Sequence, residues 1–240
     1  MLKITYIGHS GFLVELAEVY LLFDYYQGKI PTLKEEKKLM VFVSHSHGDH
    51  YNPQIFDLRK LKNPLTYILA EDVSLLPQYA ENFSDFLMVK ANQELSLGDC
   101  YIRTFRSTDE GVAYLVKYLD QTIYHAGDLN WWHWSGETDS YNEKMKEDYQ
   151  REINKFSGEV IDVAFVPVDL RLEKAYVWGM NYFMANTKTT WVVPMHFWKD
   201  YYVFDLLAQE ESCESYRSHI LRLEEGEEIT LEKTENEIKD

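Results

Sequence analysis

Apolar residues in this chain fall into short runs punctuated by Gly, Asn and Asp. Ile4–Ile7, Phe12–Leu16, Val19–Phe23, Leu39–Val43 and Leu65–Ala70 are rich in branched and aromatic side chains, and each has the length of a strand. A second block follows at Phe86–Val89, Tyr101–Phe105, Val112–Tyr118, Thr122–His125, Val160–Val166 and Thr190–Pro194. Helical spacing predicts helices over Pro53–Lys62, Tyr141–Phe156, Glu173–Thr187 and Tyr201–Ser212. Asn52 before Pro53 reads as an N-cap with proline at the first helical position. Ile229–Leu231 reads as a last edge strand, and the acidic residues from about Glu232 as a solvated tail. With no short repeat, low-complexity tract or linker, the pattern predicts one domain over residues 1–240. Two sheets packed face to face with helices outside would bury both blocks, an α+β arrangement.

Composition narrows the class. The 240 residues are enough for a substantial core, and the formal net charge is −16 with no long Lys or Arg cluster. Such a surface repels polyanions, which argues against nucleic acid as partner while leaving room for a small anion held locally. No apolar stretch reaches a membrane span, and Met1-Leu2-Lys3-Ile4 opens straight into a strand without a signal-peptide pattern. Cys100 and Cys213 are far apart and lack metal-type spacing, so both are expected to be packing residues in a reduced, cytoplasmic protein. A small-molecule partner is expected, and neither a membrane nor a nucleic acid; oligomeric state is left open.

The chemistry concentrates where the apolar run Leu39–Val43 ends, in Ser44-His45-Ser46-His47-Gly48-Asp49-His50. Chance assembles H-x-H-x-D-H from this composition in roughly one chain in a thousand or fewer, so the segment is read as a metal site rather than a polar turn. Imidazole and carboxylate are the usual ligands of zinc and related divalent ions. Beyond an extended strand, positions i and i+2 point the same way, so His45 and His47 can converge on one ion. Asp49 and His50 are adjacent, and address a second.

Four further segments complete a pattern that resembles the metallo-β-lactamase superfamily, and within it the ascorbate-6-phosphate lactonase-like branch. They are the opening Ile4-Thr5-Tyr6-Ile7-Gly8-His9-Ser10-Gly11-Phe12-Leu13-Val14, then Leu22-Phe23-Asp24, His125-Ala126-Gly127-Asp128 and Val192-Val193-Pro194-Met195-His196. They occur in the family's order between residue 4 and about residue 200. The resemblance implies a four-layer αββα sandwich. It implies one metal at Asp49, His50, Asp128 and His196, and another at His45 and His47 with Asp128 shared. Asp24 would support the metal loop through hydrogen bonds rather than ligate. The implied reaction is hydrolysis of a small-molecule ester, lactone or phosphodiester by metal-activated water, with Asp49, His45 and His47 at its centre.

One family motif is missing, because no histidine lies between His50 and His125. The matching stretch is Arg106-Ser107-Thr108-Asp109-Glu110-Gly111. Asp109 is either a replacement ligand or a turn residue. His133, in Trp131-Trp132-His133-Trp134, folds back over the metals or sits in an aromatic cluster. His9 lines the pocket or holds a turn. Asp169 enters the pocket or caps a helix, and Arg171 clamps a substrate anion or forms a surface ion pair. Trp131, Trp132, Trp134, Trp198 and Tyr201 line a pocket wall or the core. Zinc is the expected metal, with manganese and iron as alternatives and one or two ions bound. A non-catalytic metal-binding or ligand-sensing protein, derived by loss of that histidine, is the other possibility.

Overall fold

The structure is a computed structural model that describes residues 1–75, 85–156 and 158–232. The acidic tail expected beyond Glu232 lies outside them. The first apolar block forms β1 (Leu2–Gly8), β2 (Gly11–Glu15), β3 (Val19–Phe23), β4 (Lys38–Val43), β5 (Leu65–Ala70) and β6 (Phe86–Val89). The second forms β7 (Glu94–Leu97), β8 (Cys100–Arg106), β9 (Val112–Tyr118), β10 (Gln121–His125), β11 (Val160–Pro167) and β12 (Lys188–Met195), and the chain returns as β13 (Glu228–Leu231). Among the described residues they make two sheets, ordered β13-β1-β2-β3-β4-β5-β6 and β12-β11-β10-β9-β8-β7.

Both sheets are mixed. Strands β3 to β6 run parallel to one another, as do β10 to β12, while β1–β2–β3 and β7 to β10 are antiparallel. Every residue of β3 is buried, as expected of a strand covered on both faces, and this is why it reads as a continuous apolar run. The sheets face each other through aromatic contacts. Phe12 lies 4.2 Å from Phe165 and Phe42 5.2 Å from Tyr114, whose hydroxyl donates to the Val43 carbonyl at 2.8 Å. The arrangement is the expected α+β sandwich.

Helices depart more from the pattern. Asn52 caps the expected first helix, its side chain accepting from Gln54 N, but Pro53–Lys60 is 3-10 rather than α. Only Ile55 and Phe56 are buried there, so no wide apolar stripe pulls the segment into α geometry. Helix α1 (Asp139–Ile153) starts two residues earlier than expected because Thr138 accepts from Tyr141 N. The helix expected over Glu173–Thr187 is broken at its start. Glu173 sits at φ 53°, so a 3-10 segment (Leu170–Ala175) precedes α2 (Trp178–Asn186). Helix α3 (Tyr202–Gln209) stops before Glu210, which turns extended and accepts from Ser212 N. The strand β7 escaped the pattern because Glu94-Leu95-Ser96-Leu97 alternates exposed and half-buried positions on a sheet edge.

Candidate metal centre

Five loops leave the carboxyl ends of parallel strands on one side of the sandwich. They place Asp24 after β3, Ser44–His50 after β4, Asp128 after β10, Asp169 after β11 and His196 after β12. Two antiparallel turns add His9, between β1 and β2, and Asp109, between β8 and β9. Ligand sites gather at such strand ends because loops there are held by a rigid scaffold yet free to diverge in sequence.

Asp24 organises the metal loop without reaching its open face. It is buried at φ 41° and accepts from Ser44 N at 2.7 Å, Ser44 Oγ at 2.6 Å and His50 Nδ1 at 2.8 Å. Ser44 Oγ in turn accepts from His45 Nδ1 at 3.0 Å. Both histidines therefore carry their proton on Nδ1 and offer the Nε2 lone pair. Burial opposes ionisation of Asp24, yet His125 and His50 hold its carboxyl below the usual range. His125 is no ligand: its Nε2 donates to the Ser10 carbonyl at 2.8 Å and its Nδ1 accepts from Gly127 N at 3.1 Å, locking two site loops together. Asp24→Asn leaves one oxygen where three donors converge, and should weaken metal binding about 10- to 100-fold. Competition against a chromophoric chelator reads this; unchanged affinity would remove Asp24 from the supporting role.

The ligand-capable atoms converge around Asp128. Its Oδ1 lies 3.1 Å from His50 Nε2 and 3.5 Å from His196 Nε2, while its Oδ2 lies 3.5 Å from His45 Nε2. Asp49 Oδ2 lies 3.3 Å from His9 Nε2 and 3.8 Å from His196 Nε2. Among the described residues three groups have ligand-capable atoms within 4.8 Å of one another: His9, Asp49, His50 and His196; His45, His50 and Asp128; His47, Asp109 and Asp128. The Nε2 atoms of His9, His45 and His50, the Nδ1 of His9 and the Oδ1 of Asp128 are all buried and without a hydrogen-bond partner among the described residues. Polar atoms are seldom buried unpaired; one His9 nitrogen must keep its proton, and the other atoms together can give lone pairs or charge to a divalent cation.

Charge in the cluster follows its geometry. Burial pushes the pKa of His9 and His45 down, so both rings are ready as neutral ligands. At His50 burial is outweighed by Asp128 and Asp24, which raise its pKa well above the ordinary value, so without a cation the ring holds a proton on Nε2 as well, and metal binding must displace it. Asp128 and Asp49 are held below the carboxylate range despite burial, Asp128 by His50 and His196, Asp49 by His9 and His50. Burial and then Asp128 raise the pKa of Asp109. His47 is partly exposed, with Nε2 3.5 Å from Glu110.

Asp169 supports the last ligand as Asp24 supports the loop. It is fully buried, accepts from His196 Nδ1 at 2.9 Å, and pairs with Arg171 through Nε at 2.9 Å. These partners outweigh burial and push its pKa down to about 2. His9 and His196 sit at φ 55° and 64°, and the His196 amide donates to the His9 carbonyl at 3.3 Å. His133 joins none of the three groups; its ring lies 4.8 Å from Trp178, in a separate cavity. Of the aromatic candidates, Trp132, Trp134 and Trp198 line the cavity over the cluster, whereas Trp131 lines the one beside His133 and Tyr201 packs on Phe197. Sequence reasoning missed Asp72, which accepts from Ser46 N at 2.7 Å and holds the metal loop from β5; an isolated aspartate gives no signal of this.

Comparison with known proteins agrees with this architecture. Residues 3–133 match the family model described as "Beta-lactamase superfamily domain". A "UPF0173 metal-dependent hydrolase" of Opitutus terrae is 32% identical over 145 residues, covering 53% of this chain and 63% of that protein. The chain thus spans less than two thirds of the length of the curated relatives it matches. Among solved structures, Igni18, a metallo hydrolase from Ignicoccus hospitalis, aligns with TM-score 0.65 at 17% identity, over 97% of this chain and 99% of that one. The metallo-β-lactamase fold protein YhfI from Bacillus subtilis aligns with TM-score 0.63 at 16% identity, over 96% and 100%. With more than half of its length in the family match and the whole sandwich shared, the chain belongs to the metallo-β-lactamase superfamily.

Proposed function

We propose that the protein is a metal-dependent hydrolase of a small-molecule ester, lactone or phosphodiester. The observation that carries this reading is the set of five buried, unpartnered nitrogen and oxygen atoms at the strand ends. One ion is assigned to His9, Asp49, His50 and His196 with Asp128, and a second to His45, His47 and Asp128, with Asp109 in place of the missing histidine. Mixed imidazole and carboxylate donors favour zinc, with manganese next and iron as the alternative. The lactone option rests on the likeness of residues 4–14 to the lactonase-like branch. Free, buried Cys100 and Cys213 support a reducing compartment such as the cytoplasm. Among the described residues no helix is long and apolar enough to cross a membrane.

A divalent cation held here supplies Lewis acidity and brings the pKa of water down to about 7. Asp49, kept ionised by His9 and His50, is placed to accept a hydrogen bond from an attacking water and orient it. Asp24 and Asp169 fix the rings of His50 and His196, so little reorganisation is needed as charge develops. The cavity above, of roughly 330 Å³, suits a small substrate.

The test is turnover of an ester, lactone and phosphodiester panel by chelator-stripped and metal-reloaded protein, with metal counted by elemental mass spectrometry. Two ions per chain and activity restored by reloading are expected, and His196→Ala should lose metal and turnover together. Metals retained with no turnover on any class would replace this reading with the ligand-sensing one. Full metal retention in His196→Ala would contradict the assignment of His196.

A further inference from the structure

The cavity over the cluster has an uneven chemistry. On its metal side stand the carboxylates Asp49, Asp109 and Asp128; among the described residues lining it, Arg171 is the sole Lys or Arg. That side chain is pinned in three directions. Its guanidinium lies 5.7 Å from the Trp134 ring centre and 5.1 Å from that of Trp198, and Asp169 takes its Nε and Nη2. A guanidinium has two edges able to bind an oxyanion in bidentate fashion. Asp169 uses the Nε–Nη2 edge, and no hydrogen bond or ion pair among the described residues uses Nη1. The Nη1–Nη2 edge is thus free on a side chain half exposed to the cavity, held rigid by two rings. Rigid stacking of this kind is what makes an arginine fork selective, since little freedom is lost when an anion docks.

Beside the fork stands a flat apolar wall. Trp132 and Trp134 are stacked 6.1 Å apart at 6°, Met145 of α1 packs in the same cluster, and Tyr141 of α1 also lines the cavity. Trp132 is anchored to the loop after β10, its Nε1 donating to the Asp128 carbonyl at 2.9 Å and its ring 5.4 Å from His196. The wall therefore has a fixed position relative to the scissile position.

We infer that the substrate is amphiphilic: a flat apolar group lies on the Trp132–Trp134 wall and an oxyanion, carboxylate or phosphate, docks on the free edge of Arg171. This rests on the hydrolase reading of the same site, and adds to it the class of molecule admitted. Arg171 binds the substrate away from the reacting atoms, so its role is specificity.

The test compares aryl esters that share a scissile bond and differ in a remote substituent: carboxylate, phosphate or a neutral amide. With metal-loaded protein, the anionic esters should exceed the neutral one in kcat/KM by about tenfold or more, mostly through KM. In Arg171→Gln that ratio should collapse towards one; in Trp134→Leu, which leaves the Asp169 pair intact, KM should rise for all three. Comparison of the two anionic esters decides between carboxylate and phosphate. Metal content is measured on each variant, so loss of the ratio with metal retained points to the fork itself. A ratio unchanged in Arg171→Gln overturns the inference while leaving the hydrolase standing. Should no ester turn over, the corresponding amides are titrated by tryptophan fluorescence. A preference for the anionic amides that Arg171→Gln abolishes then upholds the fork whatever the wider panel says of the hydrolase reading, and no preference overturns it.

Discussion

Replacing Asp128 by asparagine should empty the centre of at least one metal ion and reduce hydrolysis by about a thousandfold or more, since water loses the shift of its pKa from about 16 to about 7. Asp128 is singled out by its contacts. Its two oxygens lie within 3.5 Å of Nε2 atoms from His45, His50 and His196, so it touches rings from both proposed ligand sets and from two strand ends of different sheets. Asparagine keeps the shape and loses the charge, and its amide presents donors towards lone pairs that would face a cation. Packing should survive, because the side chain is isosteric and the backbone carbonyl still accepts from Trp132. Elemental mass spectrometry gives the metal count, the ester panel the rate, and circular dichroism the fold. Two ions retained in Asp128→Asn would refute the bridging role.

Gly111→Ala should be as damaging to the fold as Asp128→Asn is to the chemistry. Gly111 sits in the turn before β9 at φ 69°, a region L side chains rarely adopt. A Cβ there would lie 1.9 Å from the Ser44 carbonyl oxygen and 2.6 Å from His45 Cβ. Neither neighbour can give way cheaply, since one is backbone and the other begins the side chain of a proposed metal ligand. The Ser44 carbonyl also accepts from Val112 N at 2.9 Å, so relief by moving the turn breaks a bond between the sheets. A loss of about 3 kcal/mol or more is expected, or roughly 10 °C in melting temperature for a chain of this size. Gly136→Ala is the control: a Cβ there meets nothing within 4 Å, and its effect should stay within about 0.5 kcal/mol. Equal melting temperatures for the two variants would mean that the turn yields more easily than its contacts imply.

The parts of this site that are legible in sequence are those delivered by buried parallel strands. β3 is continuously buried and β4 is apolar from Leu39 on, so their ends are unmistakable, and Asp24 and Ser44-His45 follow at once. The partners of those residues are another matter. Whether Asp109 and His9 join the cluster depends on how two antiparallel turns approach from opposite sheets, and no local spacing encodes that. The break at Glu173 is invisible because its left-handed backbone is imposed by the surrounding fold, not by residue type. Arg171 could be read from the sequence either as an anion clamp or as a surface ion pair, and the rings that hold it, Trp134 and Trp198, lie far away in sequence on either side. The family match ends at residue 133, so Trp134, Arg171 and Trp198 lie beyond it while the metal loop lies within. The shared segment carries most of the ligands; the unshared one carries the fork.

The histidines and aspartates at the strand ends come from opposite ends of the chain and from both sheets, from His9 near the start to His196 near the end. An ion seated among them works as a reversible cross-link, closing long loops of chain as a disulfide would, but with an occupancy set by supply. Free metal at a thousand times its dissociation constant would add about 4 kcal/mol to folding stability. The same fold would thus be sturdy where metal is plentiful and fragile where it is scarce, so the supply of metal would govern how long the protein lasts as well as what it does.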